Sequence, residues 1–196
     1  MQEQELVLAS QRGDLNCFNR LVESYHALAY GVALRMLSNV QAAEDATQNA
    51  FLNAYRSIRQ FRGGSFRAWL LRIVANACHD QMRAHYRHPA TSLEANLSNP
   101  DGTAAVIPDG EESPEDYALR RELGRVIMEG IDTLPDEQRW VVVLSDVEGL
   151  SYEEIATVTS SSIGTVKSRL NRGRARLRDY LLCHEELLPQ SFRLCK

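Results

Sequence analysis

Between Ile163 and Arg178 the chain reads IGTVKSRLNRGRARLR, with six cations (Lys167, Arg169, Arg172, Arg174, Arg176 and Arg178) and no acid. The chain as a whole has a net charge of -4, so this concentration is local. Clustered guanidinium and ammonium groups suit a phosphate backbone, and Arg beside Ser and Asn can also reach base edges. Sorted at 100° per residue, Ile163, Val166, Leu170, Gly173, Leu177 and Leu181 share one side of a helix. Thr165, Ser168, Arg172 and Arg176 share the other. An apolar back and a basic, hydroxyl-bearing front predict a helix that lies in a major groove. Arg172 is the predicted base reader, with Lys167, Ser168 and Asn171 beside it, while Arg174 and Arg176 serve phosphates and Arg169 belongs to the same DNA-binding set.

A second basic island lies upstream. Arg56–His88 holds seven arginines, three histidines and one acid, Asp80. Pro89–Leu119 then has seven acids, four prolines and no Lys or Arg. Proline and glycine at that density block a regular helix and predict a linker. The chain therefore divides into a first domain over 1–88, a flexible acidic linker over 89–113, a second domain over 114–185 and a tail over 186–196.

Both domains carry helical periodicity, and no stretch alternates with period two for long, so the predicted fold class is all-α. In the first domain, apolar residues recur at three- and four-residue steps over 17–37, 42–61 and 66–87. In the second, Ser151 followed by Glu154 predicts a capping box and a helix over Tyr152–Val158. The run TSSS breaks that helix, and Ser161 or Ser162 can cap the next one. Two short helices across a tight turn, the second basic, make a helix-turn-helix.

Other chemistries find little support. The N-terminal stretch has no charged-then-apolar leader, and runs such as Trp140–Leu144 are too short to span a bilayer, so a cytoplasmic protein without membrane insertion is expected. Cys17, Cys78, Cys183 and Cys195 form no C-x-x-C pair. Cys78-His79 and Cys183-His184 fall short of zinc-ligand spacing, so no metal and no cofactor are expected. Glu44-Asp45 alone is too little for a nucleic-acid enzyme, and no catalytic residue is assigned.

The segments GLSYEEIA and GTVKSRLNRGRARL resemble region 4 of the extracytoplasmic-function sigma factors, group 4 of the sigma-70 family. AAEDATQNAFLNAY resembles their region 2 helix, and FRGGSFRAWLLRIVANACHDQMR their promoter-melting segment. The resemblance implies a non-enzymatic subunit that docks on core RNA polymerase through Asp45, Gln48 and Asn49. It implies reading of promoter DNA at the minus-ten element by Phe66, Trp69, Arg72, Asn76, His79 and Asp80, and at the minus-thirty-five element by Lys167–Arg176. It also implies an anti-sigma factor as regulator. The chain departs from the family pattern in having Asn49 for glutamate, a loop at Gly63–Phe66 shorter by one residue, and Ser162 for proline. The alternative reading is a helix-turn-helix regulator with a helical sensory domain, which would need a ligand pocket within 1–88.

Overall fold

The computed structural model describes residues 2–87, 113–184 and 187. The expected linker, but for Ser113, and the tail, but for Leu187, lie outside the described residues. Every regular element among the described residues is helical.

The first domain comprises α1 (Glu3–Gln11), α2 (Leu15–Leu37), α3 (Val40–Ser57), a 3-10 turn (Ile58–Gln60) and α4 (Phe66–Arg87). Short polar side chains set the starts of α2 and α3. Asp14 accepts from the Cys17 N–H at 3.1 Å, and Asn39 from the Ala42 N–H at 2.9 Å, each satisfying an otherwise unpaired first-turn donor. Between α2 and α3, Ser38 turns the chain in the left-handed region at φ 49°. Small residues then let α3 come close to its neighbours, with Ala43, Ala46, Ala50 and Ala54 all buried against α2 and α4. Larger side chains (Phe18, Leu21, Ile58, Phe66, Leu70) fill one end of this bundle. Each contributes roughly 1.5–3 kcal/mol by leaving water.

The second domain comprises α5 (Pro114–Asp132), α6 (Asp136–Val142), a π-helical segment (Val143–Val147), α7 (Tyr152–Val158) and α8 (Ile163–Leu182). The capping box forms as the sequence predicts. The Ser151 hydroxyl accepts from the Glu154 N–H at 3.2 Å, and the Glu154 carboxylate from the Ser151 N–H at 3.0 Å. Ser162, not Ser161, caps α8 by accepting from the Thr165 N–H at 3.1 Å. Two glycines let α8 sit close. A Cβ on Gly173 would lie 2.7 Å from Val142 Cγ2, and one on Gly130 of α5 would lie 2.7 Å from Leu177 Cδ1.

The domains are not separate bodies. Residues of both lie in one continuous core, where Ala29, Val32, Met36, Leu71 and Val74 join Leu134, Trp140, Leu144, Ile155 and Leu170. α4 packs on α7, and α2 touches α5, α6 and the π segment. Trp140–Leu144 is buried at every position. Five consecutive helical residues point in all directions, so such a run must be enclosed on all sides.

Candidate nucleic-acid and polymerase interface

The basic face of α8 forms as expected. Val166, Leu170 and Gly173 are buried, while Lys167, Ser168, Asn171, Arg172, Arg174 and Arg176 are exposed. Arg172 lies back along the helix, its Nε donating to the Ser168 carbonyl at 3.2 Å, so the two form one continuous polar ridge. Lys167 sits over the Tyr152 ring at 5.8 Å, a cation–π contact that fixes it beside that ridge. The flanking arginines are held by acids from neighbouring elements. Arg169, half-buried, meets Glu137 of α6 at 2.7 Å, and Arg174 Nε donates to Asp146 of the π segment at 2.9 Å. The Asp146 carboxylate raises the Arg174 pKa further, so its charge is permanent. Ile163 departs from the helical-wheel reading: as the first helical residue it overhangs the domain and is 39% exposed.

On α4, Arg72, Asn76 and Asp80 are all exposed. At four-residue steps they form one line along the helix. Asp80 pairs with Arg83 one turn on, at 3.7 Å, which offsets its negative charge on this surface. Trp69 is half-buried, its ring 5.3 Å from Phe61 and 5.4 Å from Phe66, so one face is packed and the rest open to solvent.

Two residues of this set lie elsewhere than the sequence reading expects. Phe66 is 2% exposed, edge-on to Tyr25 at 5.4 Å and to Phe61 at 5.8 Å, so here it is packed beside Trp69 and not presented to solvent. His79 is exposed at its edge, but its ring lies 5.4 Å from Trp140 of the second domain. Burial, and secondarily the Arg83 charge, lower its pKa below the ordinary value of 6.5 and favour the neutral form.

Asp45, Gln48 and Asn49 are all exposed on α3. Gln48 borders an open-sided groove of about 830 Å³ between α2 and α3. Its lining includes Leu15, Val22, Phe51, Leu52 and Tyr55, with Glu44 at the rim. Leu15 is 53% exposed and Leu52 48%. The sequence reading missed this groove. Its signal was the apolar residues that fall off the buried stripe of α3, Leu52 and Tyr55 above all.

Among the described residues, no group of three or more His, Cys, Asp or Glu could hold a metal ion, and no helix is long and apolar enough to cross a membrane. The Cys78 thiol is pushed up to about 12 by burial, which keeps it protonated and unreactive.

Comparison with known proteins decides what this arrangement is. Residues 21–88 match the family model "Sigma-70 region 2", and residues 124–177 match "Sigma-70, region 4". The RNA polymerase sigma-H factor of Pseudomonas aeruginosa is 39% identical over 178 residues, covering 88% of this chain and 90% of that protein. The chain belongs to the extracytoplasmic-function sigma factors. The ECF RNA polymerase sigma factor SigW of Bacillus subtilis is 37% identical over 175 residues, covering 87% of this chain and 92% of its own length. Among solved structures, the sigma factor RpoE of Bartonella quintana, in complex with the anti-sigma factor NepR, matches with a TM-score of 0.64 at 26% identity. It covers 84% of this chain and 96% of that one. As a sigma factor of this family, the chain is an alternative initiation factor that directs transcription from particular promoters.

Proposed function

We propose that each surface carries one task of a sigma subunit, with residues 1–88 acting as region 2 and 114–185 as region 4. The ridge of Ser168, Asn171, Arg172 and Lys167 reads the minus-thirty-five element, while Arg169, Arg174 and Arg176 pair with its phosphates. Arg72, Asn76 and the open face of Trp69 engage the opened minus-ten strand, where a single-stranded base can stack and hydrogen-bond. Phe66 and His79 position rather than touch DNA. The groove beside Gln48, with Asp45 and Asn49, receives core RNA polymerase. The chain does this in the cytoplasm, by binding and without catalysing a reaction of its own. An anti-sigma factor controls it, as one binds the RpoE relative.

The observation that carries this reading is the two-sidedness of α8. One face is sunk behind Gly173 into the core, and the opposite one is a solvent-exposed Ser–Arg ridge. The α2–α3 groove does not favour a sensory regulator, because its open side and exposed leucines fit a protein surface better than an enclosed small molecule.

The test is transcription by purified core polymerase with and without the chain, on promoters mapped after its overexpression. Asn76→Ala should impair open-complex formation while competition for core enzyme stays unchanged. Equal loss of both would show that Asn76 is structural.

A further inference from the structure

The proposed tasks leave α1 without one. It ends before the residues 21–88 that match region 2, yet its last residue reaches the segment that leads into α4. Gln11 Nε2 donates to the Phe61 carbonyl at 2.7 Å and to the Ile58 carbonyl at 3.1 Å, 50 and 47 residues on. Ile58 opens the 3-10 turn and Phe61 is the residue just past it. One side-chain amide therefore ties both ends of that turn to α1.

The chain beyond Phe61 has little else to fix it. Gly63 and Gly64 sit at φ 96° and 90°, and a Cβ at either would meet nothing within 4 Å. A loop so built takes its shape from its two ends. The downstream end is held by the Ser65 hydroxyl, which accepts from the Ala68 N–H at 3.2 Å in the first turn of α4. The upstream end is held by Gln11. Phe61 also carries the ring that packs on Trp69 at 5.3 Å, so its position decides which side of Trp69 stays open.

α1 is a firm support. Leu6 and Val7 are buried, and the buried Ser10 hydroxyl donates to the Leu6 carbonyl at 2.7 Å. Past its end, the Gly13 and Asp14 N–H groups donate to the Ser10 and Ala9 carbonyls at 3.0 and 3.1 Å. Near its start, Glu3 accepts from the Tyr25 hydroxyl, and the Tyr25 ring meets Phe66 edge-on at 5.4 Å. Burial, followed by the bond to Glu3, raises the Tyr25 pKa, so that hydroxyl keeps its proton and remains the donor. The aromatic cluster around Trp69 is thus held from α1 at two points, through Tyr25 and through Phe61. The two carbonyls bound by Gln11 are only partly buried. Water can satisfy them if the amide is lost, but water does not fix where they stand.

We propose that Gln11 is a positioning residue for minus-ten reading, which sets Phe61 and the loop Arg62–Ser65 so that Trp69 meets an extruded base in one geometry. This rests on the assignment of Trp69 to the opened minus-ten strand.

The experiment measures binding of labelled single-stranded oligonucleotides to holoenzyme assembled from core polymerase and wild type or Gln11→Met. The oligonucleotides carry the mapped minus-ten sequence and each of its single-base variants. Methionine keeps the length and apolar stem of glutamine but has no donor. Gln11→Met should bind the mapped sequence about 5-fold more weakly, the equivalent of one net hydrogen bond. Its affinity for the variant sequences should barely change, so base preference narrows. Its melting temperature and its competition for core polymerase should match wild type. Unaltered preference, or an equal loss on every oligonucleotide, would overturn the proposal. Should Gln11→Met melt well below wild type, Gln11→Glu, of the same outline and without a donor at neutral pH, decides by the same criteria. Trp69→Ala in the same assay tests the underlying assignment. If it binds as wild type does, that assignment fails and the role of Gln11 falls with it. If Trp69→Ala loses preference and Gln11→Met does not, only the role of Gln11 is overturned.

Discussion

Arg174 of α8 gives both its Nε and an Nη to the carboxylate of Asp146, on a different element of the same domain. A phosphate that recruits Arg174 must displace that carboxylate. Asp146→Asn should therefore tighten binding to nonspecific duplex by about 3- to 10-fold at low salt. The salt slope should steepen by roughly one counterion. Fluorescence anisotropy across a salt series checks both, and an unchanged slope would show that Arg174 never meets a phosphate.

Among the described residues, Arg172 pairs with no acid. Its substitution by alanine should weaken minus-thirty-five binding by about 1–3 kcal/mol and leave scrambled DNA nearly unaffected. Paired titrations of specific and scrambled duplexes measure the difference. Equal losses would assign Arg172 to the backbone.

The α2–α3 groove offers a clean test of docking, because Leu52 is exposed and its loss removes no core packing. Leu52→Arg should reduce competition for core polymerase at least about 10-fold, as for a residue central to an interface. Its melting temperature should stay within a degree or two of wild type. Undiminished competition would move the docking face elsewhere.

Phe66 separates a packing role from a DNA role. Phe66→Ala should cost about 3–5 kcal/mol of stability, since it opens a cavity beside Trp69 and Tyr25. Urea unfolding reads this directly. A stable variant that only failed to open promoters would restore Phe66 to the DNA surface.

The capping box of α7 ties stability to pH. The Ser151 N–H, above all, holds the Glu154 carboxyl below its ordinary range. The stabilisation is thus fully present above about pH 4.3 and is lost as pH falls through the lower folded value. Ser151→Ala should cost about 1 kcal/mol at neutral pH through loss of the cap. Glu154→Gln should flatten the acid limb of the stability curve, which thermal melts from pH 3 to 7 resolve.

Much of this was legible in the sequence where a local rule decides. Ser151 and Glu154 announce α7, Ser161 and Ser162 between them announce α8, and the wheel of α8 separates Arg172 from Leu170. Ile163, Phe66 and Tyr55 were not legible, because periodicity gives a residue's direction but not what stands opposite. Ile163 points toward the core yet overhangs its end, and Phe66 lies close to Trp69 in sequence yet is buried where Trp69 is half open. The contact between the domains left a trace that periodicity could not interpret. WVVVL is too apolar on every side for a surface helix, and α8 of its own domain and α2 of the first share its cover. Glu148 pairs across that contact with Arg67 and Arg35, which lie 81 and 113 residues away, and no spacing rule joins them.

Gly173 and Gly130 have a consequence for how such a protein could change its targets. The seating depth of α8 is set on its rear side, by the absence of one carbon against Val142 and another against Leu177. A methyl at Gly173 meets a stiff valine and must tilt the helix, whereas one at Gly130 meets the bendable ends of Leu177 and Tyr180. The two positions would then act as coarse and fine adjustments of the angle at which an unaltered set of side chains addresses the bases. Promoter preference could drift through residues that never approach the DNA.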